Sequence, residues 1–383
     1  MIDARHLRSD ASRRATRLAR VAPLRERTLP EPIPALAGIE RLREGGRERE
    51  GMVALDRNER LSPLPEAILD ELRAGVDSRL LTEYPSTDRL YDDLAAHLGV
   101  AREQLLLTPG SDGAVRALHH AYVRPGDRTV MLTPSYAMYP IYTRMFGAIP
   151  DEVPFAADRS LDSDDLLERI RPGVRAVLLA NPNQPTDTLL DDDVLEAVIA
   201  RAADAGALAV IDEAYFPFSA TTVLDWTARF ANLVVLRTFS KAWGLAGLRV
   251  GCVIADPQVA ATLFKVRSAY DVNAAAALFL RTFLTHPEVA ADYVAEVDSG
   301  RRALGERLRA LGLEPLGEHT NFQVFRVAPR ADPAALADAL DQRGFIVKGP
   351  FGAPCLAGSL RATLGPPDLM HRFADALGEA LMA

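Results

Sequence analysis

The stretch Val234-Val235-Leu236-Arg237-Thr238-Phe239-Ser240-Lys241-Ala242-Trp243-Gly244-Leu245-Ala246-Gly247-Leu248-Arg249-Val250-Gly251 decides how the rest of the chain reads. An apolar, β-branched run ends in small hydroxyl residues, then an amine, then a glycine-broken segment carrying an arginine. Of the 44 basic residues only Lys241, Lys265 and Lys348 are lysine. A chain that uses arginine for its ordinary surface cations has kept an amine here. The chemical reason is that only a primary amine forms a Schiff base and gives up its proton readily.

The strand that leads into Lys241 is one of a series. Between about 105 and 255, short apolar runs at 105–108, 129–132, 174–180, 208–212, 232–237 and 250–254 read as buried strands. Amphipathic stretches at 111–122, 135–146 and 191–204 read as the helices between them, with His119 and His120 on helix surface. Buried strands alternating with helices predict a mostly parallel sheet covered on both faces. A helix is expected at about 65–74 before this region and long helix over 273–311 after it. The chain then reads as a smaller α/β module, with strands near 322–327, 345–348 and 359–364 and a closing helix at 367–382.

At 383 residues the chain is expected to hold two domains. Its 48% hydrophobic and 25% charged content is the balance of an ordinary globular enzyme. No uncharged apolar run is long enough to suggest a membrane span. Cys252 and Cys355 are too few for a disulfide framework and fit a reducing cytoplasm. Neither has metal-ligand spacing, so no metal is expected. A net charge of −8 argues against general nucleic-acid affinity. Residues 1–50 nevertheless hold twelve arginines against eight acidic residues. Residues 1–26 read as a disordered Arg-rich tail, beside which a transit peptide or a later start at Met52 stay open.

The segment around Lys241 resembles the Schiff-base lysine motif of the class I/II aminotransferases, which use pyridoxal 5'-phosphate. Within them it is similar to the histidinol-phosphate aminotransferase branch. The resemblance implies the α/β architecture called fold type I. A large cofactor-binding domain over 57–285 is then built on a mostly parallel, seven-stranded sheet flanked by helices. A smaller α/β C-terminal domain follows at 286–383, and an arm at 27–56 associates with the small domain or a dimer partner. The implied activity is transamination through a Lys241 Schiff base. It moves an amino group between an amino acid, or an amino-alcohol phosphate such as histidinol phosphate, and a 2-oxo acid. A homodimer in the cytoplasm, with no nucleic-acid or membrane partner, goes with that reading.

Residue by residue, the resemblance assigns a site. Asp212 ends the apolar run of Ala207-Leu208-Ala209-Val210-Ile211-Asp212-Glu213-Ala214-Tyr215, and strand C-termini are where parallel-sheet enzymes build sites. By resemblance Asp212 pairs with the pyridinium nitrogen and Tyr215 donates to the phenolate oxygen. Gly110, Ser111 and Asp112, in Thr108-Pro109-Gly110-Ser111-Asp112-Gly113, lie between a strand and a helix, a ready place for an anion. They would take the phosphate, with Thr238, Ser240 and Arg249 completing the cradle and Tyr84 reaching in from the neighbouring subunit. Tyr136 would stack on the ring. Arg361, in Ser359-Leu360-Arg361-Ala362-Thr363-Leu364-Gly365, would clamp the substrate carboxylate with a bidentate fork. Asn58 and Asn321 fall on the substrate side.

The pattern breaks in three places. In Asn181-Pro182-Asn183-Gln184-Pro185-Thr186-Asp187, Gln184 stands where the family has an asparagine touching both the phenolate oxygen and the substrate carboxylate. Asp187 replaces a glycine. Asn58-Glu59-Arg60 stands for Asn-Glu-Asn, and Lys348 for an arginine that ends its strand. A second reading therefore keeps the cofactor and changes the bond broken, giving a decarboxylase, an eliminating enzyme or an oxidase. A remoter one is a non-catalytic ligand-sensing module.

Overall fold

The computed structural model describes residues 31–36, 38–39 and 49–382. The tail expected over 1–26 lies outside the described residues. The chain divides into a short unit ending at Gly38, whose described part holds one 3-10 turn at Pro34–Leu36, and a unit from Ile39 onward. Everything below concerns the second unit.

This unit opens with strand β1 (Val53–Ala54), then helices α1 (Glu66–Ala74), α2 (Ser78–Thr82) and α3 (Asp88–Leu98). The β/α region follows as β2 (Leu105–Thr108), α4 (Gly110–Tyr122), β3 (Arg128–Thr133), α5 (Met138–Met145) and β4 (Ile149–Pro154). It continues through α6 (Ser163–Arg169), β5 (Val174–Ala180), α7 (Asp192–Asp204), β6 (Leu208–Asp212), β7 (Leu233–Thr238) and β8 (Gly251–Ala255). Helices α8 (Pro257–Phe264), α9 (Ala274–Leu284) and α10 (Glu288–Ala310) lead to β9 (Glu314–Leu316) and β10 (Phe322–Arg326). The chain closes with α11 (Pro333–Asp341), β11 (Phe345–Ile346), β12 (Ser359–Thr363) and α12 (Pro367–Met382).

Seven strands form one sheet in the order β2-β8-β7-β6-β5-β3-β4. Only β8 runs against its neighbours; the other pairings are parallel. Every residue of β7 and β8 is buried, as expected where helices cover both faces of a parallel sheet. Removing such a side chain leaves a cavity, so Leu236→Ala would cost about 2–5 kcal/mol. Strand β4 is absent from the sequence reading. It is an edge strand, its burial is uneven, and it carries a proline at each end of Pro150-Asp151-Glu152-Val153-Pro154.

The long helix read over 273–311 is two helices. Asn273 caps α9 through its side chain to Ala276 N, and the chain turns at Thr285–Pro287 before α10 begins. Pro287 has no N–H to continue the earlier helix, which is the physical reason for the break. His119 is also not on the surface. It is 1% exposed, with Nδ1 at 2.8 Å from Val115 O and Nε2 at 3.1 Å from Thr143 Oγ1.

The C-terminal part holds an antiparallel sheet in the order β12-β10-β9, and α10 packs against α12. Strand β1 pairs in parallel with β11. Among the described residues no helix is long and apolar enough to cross a membrane, and no cluster of His, Cys, Asp and Glu is placed to hold a metal.

Candidate active site

The carboxyl ends of the parallel strands converge on one cavity of about 190 Å³. Strand β6 delivers Asp212, and β7 delivers Thr238 with Ser240 and Lys241 just beyond. The turn after β5 delivers Gln184. Helix α4 contributes Ser111 and Asp112, and Tyr136, Tyr215 and Arg249 complete the wall. Residues spread over more than 130 positions of sequence thus meet at one place because each follows a strand of the same sheet.

Asp212 is 4% exposed, and burial pushes its carboxyl up to about 7. Two donors oppose that rise: Tyr139 Oη at 2.9 Å from Oδ2, and Ala214 N at 3.1 Å from Oδ1. A buried carboxylate with no cation beside it is costly, so this one is suited to a cationic nitrogen in the cavity. The sequence reading passed over Tyr139. Tyr139 sits inside α5 and meets Asp212 only once β6 is packed beside it, so the sequence carries no sign of that partner.

The start of α4 is built for an anion. Pro109 is its cap residue and supplies no side-chain hydrogen bond, so the first amides of the helix are open. Thr238 Oγ1 donates to Ser240 Oγ at 3.0 Å, and Arg249 Nη1 donates to the same Ser240 Oγ at 3.3 Å. Gly110 has φ +76°, and a Cβ there would meet Arg249 Nη2 at 2.8 Å. Asp112 behaves differently from Gly110 and Ser111: its carboxylate accepts from Tyr136 Oη at 3.0 Å and Tyr142 Oη at 2.9 Å. The side chain therefore aims the two tyrosines.

Lys241 Nζ donates to Arg57 O at 2.9 Å and Asn58 O at 3.2 Å. Lys241 as a whole keeps some solvent contact, but protein atoms crowd its amine. Burial, then the nearby Arg361 and Arg249 charges, pull it down to about 8, against the pull of Glu59. An amine so depressed is partly unprotonated near neutral pH, the form that acts as nucleophile and base. Asn58 Nδ2 donates to Tyr215 Oη at 2.8 Å, and Tyr215 Oη donates to Gln184 Oε1 at 3.4 Å. Asn321 Nδ2 donates to Asn58 O at 3.0 Å. Burial pushes the Tyr215 phenol up to about 12, opposed by Arg361 and Asn58.

Arg361 is 4% exposed on β12. Its Nη2 donates to Asp56 O at 2.8 Å, and its Nε is buried without a hydrogen-bond partner. A buried guanidinium with an unused donor is set to receive an anion. Lys348 pairs with Arg361 through both backbone bonds of an antiparallel bridge, at 2.9 and 2.8 Å. Tyr84 stands apart from the cavity. It is 78% exposed and its ring stacks on Tyr270 at 4.3 Å. A larger opening of about 620 Å³ lies between α3 and α8, lined by residues such as Tyr91, Arg102 and Phe264. It is bigger than the cavity around Lys241 but gathers none of that cavity's amine, carboxylate and phenol, so the smaller one is the candidate site.

Comparison with known proteins agrees with this geometry. The sequence profile of aminotransferase class I and II matches residues 50–377. Histidinol-phosphate aminotransferase 1 of Carboxydothermus hydrogenoformans is 34% identical over 334 residues, 86% of this chain and 93% of its own. Histidinol-phosphate aminotransferase 1 of Thiobacillus denitrificans is 36% identical over 372 residues, 95% of this chain and 94% of its own. The crystal structure of histidinol-phosphate aminotransferase from Sinorhizobium meliloti in complex with pyridoxal-5'-phosphate superposes with a TM-score of 0.83. It covers 93% of this chain and 98% of that one at 24% identity, which shows the fold.

The chain belongs to the aminotransferase class I and II family. It is a pyridoxal-phosphate-dependent transaminase of fold type I. Three features fit that cofactor: an uncapped helix N-terminus beside Arg249, a carboxyl raised by burial, and a depressed amine lining the same cavity.

Proposed function

We propose that this transaminase takes its amino group from histidinol phosphate, or a closely similar amino-alcohol phosphate, and passes it to a 2-oxo acid. The relatives' names support that donor. The single observation that carries the chemistry is the depressed Lys241 amine set between Asp212, the α4 N-terminus and Arg361.

Bound in the cavity, pyridoxal phosphate supplies an aldehyde that takes up amino groups and a ring that stores the electron pair released at the donor's α-carbon. Lys241 Nζ holds it. The carboxylate of Asp212 would pair with the pyridine nitrogen, and the Tyr215 hydroxyl and Gln184 amide would serve the phenolate oxygen. Gly110, Ser111, Thr238, Ser240 and Arg249 would take the phosphate, Asp112, which accepts from Tyr136 Oη, would steady Tyr136 for the ring, and Asn58 and Asn321 would serve the substrate side. The Lys241 amine would take the proton from the donor's amine-bearing carbon and later give it back, acting first as base and then as acid. Arg361, buried with an unused Nε donor, would supply the positive charge for the donor's anionic group.

The working unit in this proposal is a homodimer in the cytoplasm. Val76, Leu81, Tyr84, Phe264 and Tyr270 are exposed large apolar side chains in two short segments, 76–84 and 264–270. Tyr84 and Tyr270 stack on each other at the surface, and exposed apolar surface of that kind supports an interface, across which the partner subunit's Tyr84 would approach the phosphate. Cys252 and Cys355 are free buried thiols, in keeping with a reducing compartment.

The domain bounds we propose are 57–285 for the large domain and 286–383 for the small one, with 27–56 as the arm. The test of the donor is a panel of initial rates at one fixed 2-oxo acid. Histidinol phosphate should exceed other amino donors by about tenfold or more in kcat/KM, which is a 1.4 kcal/mol preference. An equal or better rate with a common amino acid would give the site to that donor.

A further inference from the structure

We infer that Asp187 and Arg301 form a buried positioning pair that ties the Gln184 turn to the Thr320–Asn321 segment, and so holds Asn58 where Lys241 and Tyr215 meet it.

Asp187 occupies an awkward place. Its φ is +55°, in the left-handed region that favours glycine, and it is 1% exposed. A carboxylate held there against both backbone strain and desolvation needs specific partners. Two come from beyond the sheet. His319 N donates to Asp187 Oδ1 at 3.1 Å, and Arg301 Nη1 lies 3.8 Å from Oδ2. The fold also makes room for it, since a Cβ at Gly317 would sit 2.5 Å from Asp187 Cβ and 2.6 Å from Oδ2. Burial raises the Asp187 carboxyl to about 6, opposed first by Arg301 and then by the His319 N–H.

Arg301, on α10, completes the link. Its Nη1 donates to Phe322 O at 3.2 Å and its Nη2 donates to Thr320 O. Between those two carbonyls stands Asn321, whose amide reaches Asn58 O at 3.0 Å. Asn58 O also accepts from Lys241 Nζ, and Asn58 Nδ2 binds Tyr215 Oη, which closes on Gln184 Oε1. Backbone carries the circuit home: Asp187 N donates to Asn183 O at 2.9 Å, beside Gln184. The result is a closed ring of polar contacts with the Gln184 turn at one end and Asn321 at the other. Asp187 touches no reacting atom, so its role is positional. Where Gln184 and Asp187 depart from the family pattern together, the ring gives both one task.

The test is amide hydrogen exchange on the cofactor-free protein, so its outcome is independent of the donor and of the transaminase reading. Asp187→Asn keeps a side chain of the same shape that can accept from His319 N, but discards the charge facing Arg301. Amides in 317–322 should exchange about tenfold faster in this variant while the melting temperature moves by only a few degrees. Arg301→Gln should give the same local pattern, and the double variant should be no faster than either single one. In the loaded enzyme, kcat should fall about tenfold or more with little change in KM for the 2-oxo acid. Wild-type exchange over 317–322 in Asp187→Asn overturns the proposal, whatever happens to kcat. So does a double variant whose effects simply add. If Asp187→Asn does not fold, Arg301→Gln carries the same exchange test alone.

Discussion

Tyr139 Oη donates to Asp212 Oδ2 at 2.9 Å, with Tyr139 1% and Asp212 4% exposed. The bond restrains a carboxyl that burial would otherwise protonate, so the tyrosine helps keep Asp212 available as an anion.

Tyr139→Phe removes that donor and almost nothing else. A hydrogen bond to a charged group contributes about 1.5–3 kcal/mol, so affinity for pyridoxal phosphate should fall about tenfold or more. Absorbance titration of the cofactor-free variant measures it. Unchanged affinity would mean that Asp212 does not depend on Tyr139.

Asp212→Asn should separate stability from function. The carboxyl's folded pKa is raised from 3.8 to about 7, so between those values the folded state holds more protons than the unfolded one. Stability of the cofactor-free protein therefore falls as pH rises through that window, and stays reduced above it. Asparagine escapes this loss. The variant should melt higher than wild type at pH 8, with the gap shrinking toward pH 5, while added cofactor stabilises wild type more. A variant less stable than wild type at pH 8 contradicts the assignment.

Gly110→Ala places a methyl group 2.8 Å from Arg249 Nη2, at a φ of +76°. The backbone alone costs about 1–2 kcal/mol, and the guanidinium must leave Ser240 or move with it. Melting temperature should drop by a few degrees, and affinity for inorganic phosphate should drop with affinity for the cofactor. Loss of stability with phosphate binding intact would remove Arg249 from the cradle.

Capture of the cofactor by the free protein should follow the Lys241 amine. With a pKa lowered to about 8, about a tenth of it is unprotonated at pH 7. The rate should rise with pH through about 8 and level off above. Glu59→Gln removes the charge that raises this amine, so the midpoint should move down. A midpoint near the ordinary lysine value of 10.5 contradicts the burial argument.

The parts of the fold legible in the sequence are those where one physical demand dominates. Strands β5, β6 and β7 are buried on both faces and announce themselves as apolar runs; β4, at the edge and rich in Pro, Asp and Glu, does not. Lys241, Asp212 and the turn at Gly110 were readable because each lies at or just past the end of a buried strand, where a charged side chain or a glycine turn stands out. Tyr139 and His119 were not, since a polar group inside a helix declares its partner only when the neighbouring element is in place. Arg301 lies 114 positions from Asp187 by number, and only the packing of α10 brings the two together.

The most direct test of the account is the visible absorption of the purified protein with pyridoxal phosphate, in wild type and Lys241→Ala, titrated with histidinol phosphate and then with a 2-oxo acid. Wild type should show the band of lysine-bound cofactor, lose it to the aminated cofactor as donor is added, and regain it with the 2-oxo acid. Lys241→Ala should lack the band and turn over about 100-fold to 10,000-fold more slowly. A wild-type band that persists under donor while carbon dioxide, ammonia or peroxide is released, or a Lys241→Ala variant as active as wild type, would contradict it.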